Sequence, residues 1–230
     1  MKFGFIGCGN MGGAIARGVV KAAGGDQVLL ANKTMTKAEK LAEELSCTVG
    51  SNEDAALCEY VFLGVKPYLM ADMLEKIQPV LTQSKPVLVT MAAGLTMERI
   101  REMAGGNYPV IRIMPNTPSA IGEGMIQYCT LDVSDAQEAE FLTAMAHCGR
   151  MDKIPENLID AASAVSGCGP AFAYMFIEAL ADGGVACGLP RAKAMEYAAQ
   201  MLQGSAKLLL ESHKHPGELK DAVCSPNGST

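Results

Sequence analysis

Through the first half of the chain, short apolar runs alternate with stretches in which apolar residues recur every three to four positions. The runs over 2–7, 27–31, 60–65, 86–90 and 110–114 are bounded by polar or glycine-containing segments and predict β-strands. Between them, 11–23, 36–45, 68–78 and 96–104 have the apolar spacing of helices. Val61-Phe62-Leu63 and Val87-Leu88-Val89 are apolar at successive positions, as in parallel strands covered on both faces. This alternation implies βαβ units with right-handed crossovers.

The second half changes character. One more strand is expected over 121–128 and a helix over 134–148, after which strand signals nearly vanish. The segments 158–165, 171–186 and 191–212 read as helices, with Gly188 and Pro190 ending one and starting the next. The natural cut lies near 151–155. The expected fold is α/β: a doubly wound, mostly parallel sheet domain over 1–152, then an all-helical domain over 153–230. The longest apolar stretch, 170–189, is interrupted by Glu178 and Asp182 and is expected to be a buried helix, not a membrane span. At the N-terminus, Gly9, Asn10 and Gly12 fall where the hydrophobic region of a secretory signal would continue, so none is expected.

Composition narrows the function. The net charge of −6 argues against a nucleic-acid partner, because neutralising phosphates takes a basic surface. Basic residues are scattered, with no run suited to a membrane-surface patch. The eight cysteines include no C-x-x-C pair, so neither a zinc site nor a redox motif is indicated. Reduced, mostly buried thiols in a soluble cytoplasmic protein are expected.

The candidate chemistry begins at Gly7-Cys8-Gly9-Asn10-Met11-Gly12, a G-x-G-x-x-G sequence. That pattern alone is weak in a chain with 24 glycines. Here it follows an expected strand, Phe3-Gly4-Phe5-Ile6, and opens an expected helix, the context a Rossmann-like dinucleotide-binding turn requires. Gly7 permits the tight turn, Gly9 lets the backbone approach a pyrophosphate, and Gly12 lets helix and strand pack closely. The helix N-terminus then offers free N–H groups to the phosphates. After the second strand, an NAD site usually has Asp or Glu for the ribose 2′-hydroxyl. This chain has Asn32-Lys33-Thr34, whose side chains donate to a 2′-phosphate instead of repelling it. NADPH is therefore favoured and NADH is the second candidate; an ordinary solvated loop lysine is the competing reading of Lys33.

Further along stand Gly64-Val65-Lys66-Pro67, Ala92-Ala93-Gly94, Arg112-Ile113-Met114-Pro115-Asn116-Thr117-Pro118 and Ser166-Gly167-Cys168-Gly169-Pro170-Ala171. Ala181-Asp182-Gly183-Gly184-Val185, Gly188-Leu189-Pro190, His215-Pro216-Gly217-Glu218-Leu219-Lys220-Asp221 and Ser225-Pro226-Asn227-Gly228-Ser229-Thr230 follow. Together and in this order, over residues 3–230, these segments resemble the pyrroline-5-carboxylate reductase family. The resemblance implies hydride transfer from NADPH to the C=N carbon of 1-pyrroline-5-carboxylate, giving L-proline in the last step of proline biosynthesis. It fits what the sequence lacks: no Ser-His-Asp set, no metal cluster and only three histidines. A protonated cyclic imine already accepts hydride well, so the protein has chiefly to hold it against the nicotinamide.

By the same resemblance, Val65, Lys66 and Pro67 with Ala92, Ala93 and Gly94 line the cofactor at the carboxyl ends of their strands, and Asn52 belongs to that wall. The family uses the Lys66 segment around the cofactor, not as a proton donor. The substrate carboxylate is implied to lie in the loop 225–230, at Ser225, Gly228 and Ser229, where backbone N–H groups converge on an anion. Thr230 is the expected catalytic contact, hydrogen-bonding the ring nitrogen or the carboxylate. Ser163 and Glu156 are further pocket candidates, with Glu156 equally readable as a carboxylate favoured at a helix N-terminus. His213 and His215 lie close together, but His215 belongs to the family's His-Pro segment and no metal is expected. The family also implies a homodimer, or a larger homo-oligomer built from dimers, in which helical domains interlock and complete each other's sites. Relatives typically continue past position 230 with more helices, so a C-terminally shortened helical domain is expected. Asn227 and Ser229 stand where relatives commonly have Gly and a small or hydroxyl residue, which leaves the loop's conformation open.

Two other readings compete. A β-hydroxyacid dehydrogenase-like enzyme needs a catalytic lysine shortly after a glycine-rich turn, whereas the first lysine after Gly169 is Lys193, about six helical turns on. A non-catalytic dinucleotide-binding paralogue is the second, since fold and cofactor motif alone never establish catalysis. Gly228 and Thr230 argue against it.

Overall fold

The computed structural model describes residues 1–229. Eight strands form one sheet in the order 3-2-1-4-5-6-7-8: β1 (Phe3–Ile6), β2 (Val28–Ala31), β3 (Thr48–Val49), β4 (Tyr60–Leu63), β5 (Val87–Thr90), β6 (Val110–Met114), β7 (Gly124–Leu131) and β8 (Gly149–Lys153). Strands β1 to β6 are parallel, β7 runs antiparallel to β6, and β8 is parallel to β7. The helices are α1 (Asn10–Ala23), α2 (Met35–Leu45), α3 (Asn52–Ala56), α4 (Met70–Ser84), α5 (Met97–Ala104), α6 (Asp135–Ala144), α7 (Ile159–Ala162), α8 (Gly169–Ala186), α9 (Arg191–Ser212) and α10 (Pro216–Val223). The doubly wound, mostly parallel sheet followed by helices is thus the fold the chain adopts.

Successive apolar residues in each strand feed two cores. In β4, Tyr60 and Phe62 enter one, while Val61 and Leu63 enter the other. The first core is closed by Ile15 and Val19 of α1, Leu41 of α2 and Phe141 of α6, and Phe5 stacks on Phe62 with ring centroids 4.4 Å apart. The second is closed by Ala55 of α3, Leu74 and Ile77 of α4, and Ile100 of α5. A sheet covered on both faces has no polar side, which is why its strands read as unbroken apolar runs.

Several elements depart from the expected pattern, among them α10, which was not expected, and β7, which starts three residues later than expected. Strand β3 has two residues at the sheet edge, too few for periodicity to register. Helix α3 is announced locally by a capping box: Ser51 Oγ accepts from the Asp54 N–H at 3.0 Å, and the Asp54 carboxylate accepts from the Ser51 N–H at 2.9 Å. It lies so close on β1 that a side chain at Gly4 would collide with the Ala55 carbonyl. Helix α4 continues through Pro79 to Ser84, beyond the expected end at 78. The proline lacks an N–H and removes one helical hydrogen bond, but Ile77 and Leu81 on either side are fully buried and hold the helix on the sheet. Strand β8 is a mostly polar edge strand where a domain cut was expected, paired to β7 by backbone register and not by apolar pattern.

The chain divides into two compact units, Met1–Pro170 and Ala171–Thr230. The first holds the sheet and both cores. In the second, the buried residues are the small ones, Ala181, Ala194 and Ala198. Helices α8 and α9 approach through these: a Cβ on Gly184 would lie 3.1 Å from the Ala194 Cβ. The helix expected to be buried over 170–189 is instead largely exposed within this chain, with Phe172, Tyr174, Met175, Phe176 and Leu180 uncovered. Contact with α9 uses its small-residue side and leaves the bulky side open. By length and apolar content alone, the helical run Glu156–Ala186 is sufficient to cross a membrane.

Candidate active site

The turn from β1 into α1 separates glycines that the fold demands from one that it does not. Gly7 has φ +98°, and a Cβ there would come within 2.7 Å of the Gly64 carbonyl carbon. A Cβ on Gly12 would collide with the Gly7 carbonyl oxygen. Both are required by packing. Gly9 has φ −72°, open to any residue, and a Cβ there would meet no atom within 4 Å. Its missing side chain keeps space clear above the N-terminus of α1, which has no side-chain cap. The first helical N–H groups, from Asn10, Met11 and Gly12, are the kind that a helix leaves without an intrahelical partner.

That space belongs to a cleft of about 480 Å³ at the carboxyl ends of β1, β2 and β4. Seven of the expected cofactor residues line it: Gly7, Gly9, Asn32, Lys33, Asn52, Val65 and Lys66. Asn32 is engaged locally, accepting from the Cys8 N–H at 3.0 Å and donating to the Thr34 carbonyl at 2.9 Å. It therefore ties the two loops together, while Lys33 stands exposed beside it. Cys8 and Asn10 line a neighbouring cleft of about 320 Å³ together with Gly9, Lys37 and Lys40. Burial pushes the Cys8 thiol up to about 12, so it stays protonated and serves as a small apolar residue.

Pro67 follows Lys66 and opens a short 3-10 turn leading to α4. At the end of β5, Ala92 is buried with its N–H donating to Thr90 Oγ1 at 3.3 Å, whereas Ala93 and Gly94 are exposed. Gly94 has φ +74°, a conformation in which glycine is favoured.

The expected substrate residues are distributed differently. Glu156 Oε1 accepts from the Met97 N–H at 2.8 Å and from buried Arg112 at 3.2 Å. Its carboxylate thus sits at the N-terminus of α5, not of its own helix, in a favourable dipole position. Ser163 begins a wide π turn over Ser163–Gly167. In the C-terminal loop, the Gly228 N–H donates to the Ser225 carbonyl at 2.9 Å and Asn227 has φ +58°. With Pro226 before it, this is the type II arrangement, in which Asn replaces Gly at small cost. The Gly228 N–H is spent in closing that turn, and Ser229 beyond it is exposed. Thr230, the expected catalytic contact, lies outside the described residues.

Ile6 and Gly64 also line the cleft, and four residues at and after the start of α4, not anticipated, complete it: Leu69, Asp72, Met73 and Lys76. Their spacing of three, four and seven places one helical face of α4 against the cleft, a signal present in the sequence once the helix start is known.

The sequence and fold have close counterparts. Residues 156–230 match the family description "Pyrroline-5-carboxylate reductase dimerisation", and residues 2–94 match "NADP oxidoreductase coenzyme F420-dependent". The pyrroline-5-carboxylate reductase of Escherichia coli is 38% identical over 236 residues, covering 100% of this chain and 87% of its own. A crystal structure of the Streptococcus pyogenes 1-pyrroline-5-carboxylate reductase superposes with a TM-score of 0.89 at 32% identity, covering 100% of this chain and 87% of that one. The Plasmodium falciparum pyrroline carboxylate reductase, solved with NADP bound, gives 0.86 at 33% identity, covering 99% and 86%. Similarity of this extent through both the sheet and the helices shows that the chain belongs to the pyrroline-5-carboxylate reductase family.

Proposed function

We propose that this chain is an NADPH-dependent reductase that converts 1-pyrroline-5-carboxylate to L-proline. The observation that carries the cofactor assignment is Gly9, where the backbone would accept a side chain, no protein atom fills the space, and the residue is nonetheless glycine. An open position above an uncapped helix N-terminus suits a pyrophosphate. Lys33, Lys66 and Lys76 outnumber Asp72 in the cleft, which favours the extra 2′-phosphate of NADPH, with NADH as second candidate. The NADP of the Plasmodium relative and the shared name of the relatives support the same reading.

When bound, NADPH supplies the hydride. The chain's own work is binding and orientation. Gly7, Cys8, Gly9, Asn10, Met11 and Gly12 hold the phosphates, and Asn32, Lys33, Thr34 and Asn52 hold the adenosine end. Val65, Lys66 and Pro67, then Ala92, Ala93 and Gly94, line the path across the strand ends. Ser225, Ser229 and Thr230 receive the substrate carboxylate, with Gly228 closing the turn that presents them and the Thr230 hydroxyl at the ring nitrogen. Ser163 adds a hydroxyl, and Glu156 acts through the helical segment it anchors. The imine enters protonated at nitrogen, so hydride addition at carbon gives the neutral amine and the bond-forming step needs no side-chain acid.

The exposed bulky face of α8 and the dimerisation match support a homodimer, or a larger homo-oligomer built from dimers. Glu178 and Asp182 within that helix fit a second protein copy better than lipid. All eight cysteines are free, in keeping with a cytoplasmic location.

The test follows NADPH and NADH oxidation with 1-pyrroline-5-carboxylate, using the chain and its Thr230→Ala variant. The expected result is turnover, faster with NADPH, and a loss of about tenfold or more in the variant. NADPH binding without turnover would overturn the reductase reading and leave a dinucleotide-binding paralogue.

A further inference from the structure

Where the helical run meets the later strands of the sheet, buried polar groups stand that the cofactor assignment does not use. The π turn Ser163–Gly167 is closed by the Cys168 N–H donating to the Ser163 carbonyl at 2.9 Å. Such turns interrupt a helix locally and recur at functional sites. Two buried amides hold this one. Asn116, 8% exposed, donates from Nδ2 to the Ser166 carbonyl at 3.0 Å and accepts from the Met125 N–H at 3.0 Å. Gln127 of β7, 5% exposed, places its amide oxygen 2.9 Å from Ser166 Oγ, which also lies 3.0 Å from the Ala162 carbonyl. A hydroxyl has one proton. It is given to Gln127, or else to Ala162 while a turned-over Gln127 amide donates to the hydroxyl; either way Ser166 and Gln127 are bonded.

Burying two amides beside apolar strands is costly unless they are paired, and both pairings end on Ser166. At the other end of the same segment, Arg112, 3% exposed, reaches Glu156 at 3.2 Å and Asp160 at 3.0 Å. Glu156 through Gly167 is thereby fastened to β6 and β7 at both ends. Its position gives this seam a meaning. A dinucleotide lies along the carboxyl ends of the strands, with its phosphates at β1. Ala92, Ala93 and Gly94 follow β5, and Asn116 follows β6, the next strand in the sheet.

Resting on the reductase reading above, we infer that Asn116 and Gln127 are positioning residues. They fix the π turn, and with it Ser163 and the Ser166–Pro170 segment, at the end of the site where the imine accepts hydride. Neither touches the reacting atoms.

Gln127→Met keeps volume and removes the amide, while Ser166 retains its bond to Ala162. In this variant kcat for the imine is expected to fall about tenfold, with the NADPH dissociation constant, read by nicotinamide fluorescence, within about twofold of the parent. Ser166→Thr keeps the hydroxyl and should retain turnover within about twofold, whereas Ser166→Ala should behave like Gln127→Met. Ser84→Ala, which removes a remote 2.7 Å bond to the Ala56 carbonyl, serves as the control for a purely structural loss. It should lower Tm and leave kcat and KM unchanged. Amide exchange at 164–168 is read in parallel and should quicken about tenfold in Gln127→Met. Unchanged protection there, or a lowered Tm with unchanged kcat, overturns the inference. An inactive parent chain overturns the reductase reading instead, and the exchange rates still decide whether Gln127 holds the turn.

Discussion

In Met1–Pro170 most large apolar side chains are buried in two cores, whereas among the described residues of the second unit the buried ones are alanines and most large side chains are exposed. Tyr60, Phe5, Phe62 and Phe141 are among the fully buried residues of the first unit; in the second, Phe172 is 65% exposed and Leu210 63%. A sheet layered by helices on both faces closes its own cores. A few helices from one chain pack through small residues and leave an apolar face that only another body can cover. Apolar content is high in both regions, so content alone does not tell which chain will do the burying. The difference separates a sheet unit that closes its own cores from a helical unit that leaves an apolar face uncovered, in keeping with its match to a dimerisation family.

The largest expected effect tests the self-sufficient half. Gly9→Val should fold normally, since its Cβ meets nothing within 4 Å, yet NADPH affinity should drop by about 100-fold or more in a fluorescence titration. Tm should stay within a few degrees. Parent-like NADPH binding would mean that the open space belongs to something else, and the first unit would lose its claim to be the cofactor half.

A second change addresses the interface. Phe176 is 51% exposed, and Phe176→Glu places a charge on the bulky face of α8. A buried aromatic anchor is worth about 2 kcal/mol or more, so the dissociation constant should rise about thirtyfold or more. Light scattering after size exclusion reads the shift towards monomer, while NADPH affinity should hold. An unchanged assembly would show that this face lies outside the interface.

The smallest effect sharpens the picture of how the sheet unit is held at its edge. Glu138 bonds Lys153 at 2.6 Å and the Tyr128 hydroxyl at 2.8 Å, and the Lys153 bond holds its carboxyl below the ordinary 4.5. Glu140 is lowered likewise, by its bond to Lys2. Burial, with the Glu138 bond adding to it, pushes the Tyr128 phenol up to about 12, so it remains a donor. A carboxylate lowered in the folded state lends stability that is present above its unfolded pKa and lost as pH falls through the folded value. Tm should therefore be level near neutrality and decline below about pH 4.5. Glu138→Gln should cost about 1 kcal/mol at pH 7 and less in acid. An equal cost at both pH values would remove the ion pair from the account.

Much of this was legible beforehand. The strands centred on Phe5, Leu30, Phe62, Leu88 and Ile111 announced themselves because burial on both faces leaves no polar positions to blur them. The Gly7–Gly12 turn was readable because each glycine answers a separate demand. What escaped notice was held by partners distant in sequence. Strand β8 is fixed by its register with β7, α4 survives Pro79 because buried neighbours pin it, and Leu69 to Lys76 reach the cleft through the placement of α4. Asn227 reads as a departure, yet it occupies a turn position where a left-handed residue is needed and Asn serves.

The sequence by itself determined the alternation of the main strands and helices, the glycine-rich turn and the family, because these rest on local spacing and residue type. The tertiary structure decided which glycine the fold does not need, where the Glu156 carboxylate is spent, and which apolar helix remains uncovered. Those depend on distances between residues far apart in the chain, such as Arg112 to Asp160 or Asn116 to Ser166, and on the difference between being apolar and having a neighbour to be buried against.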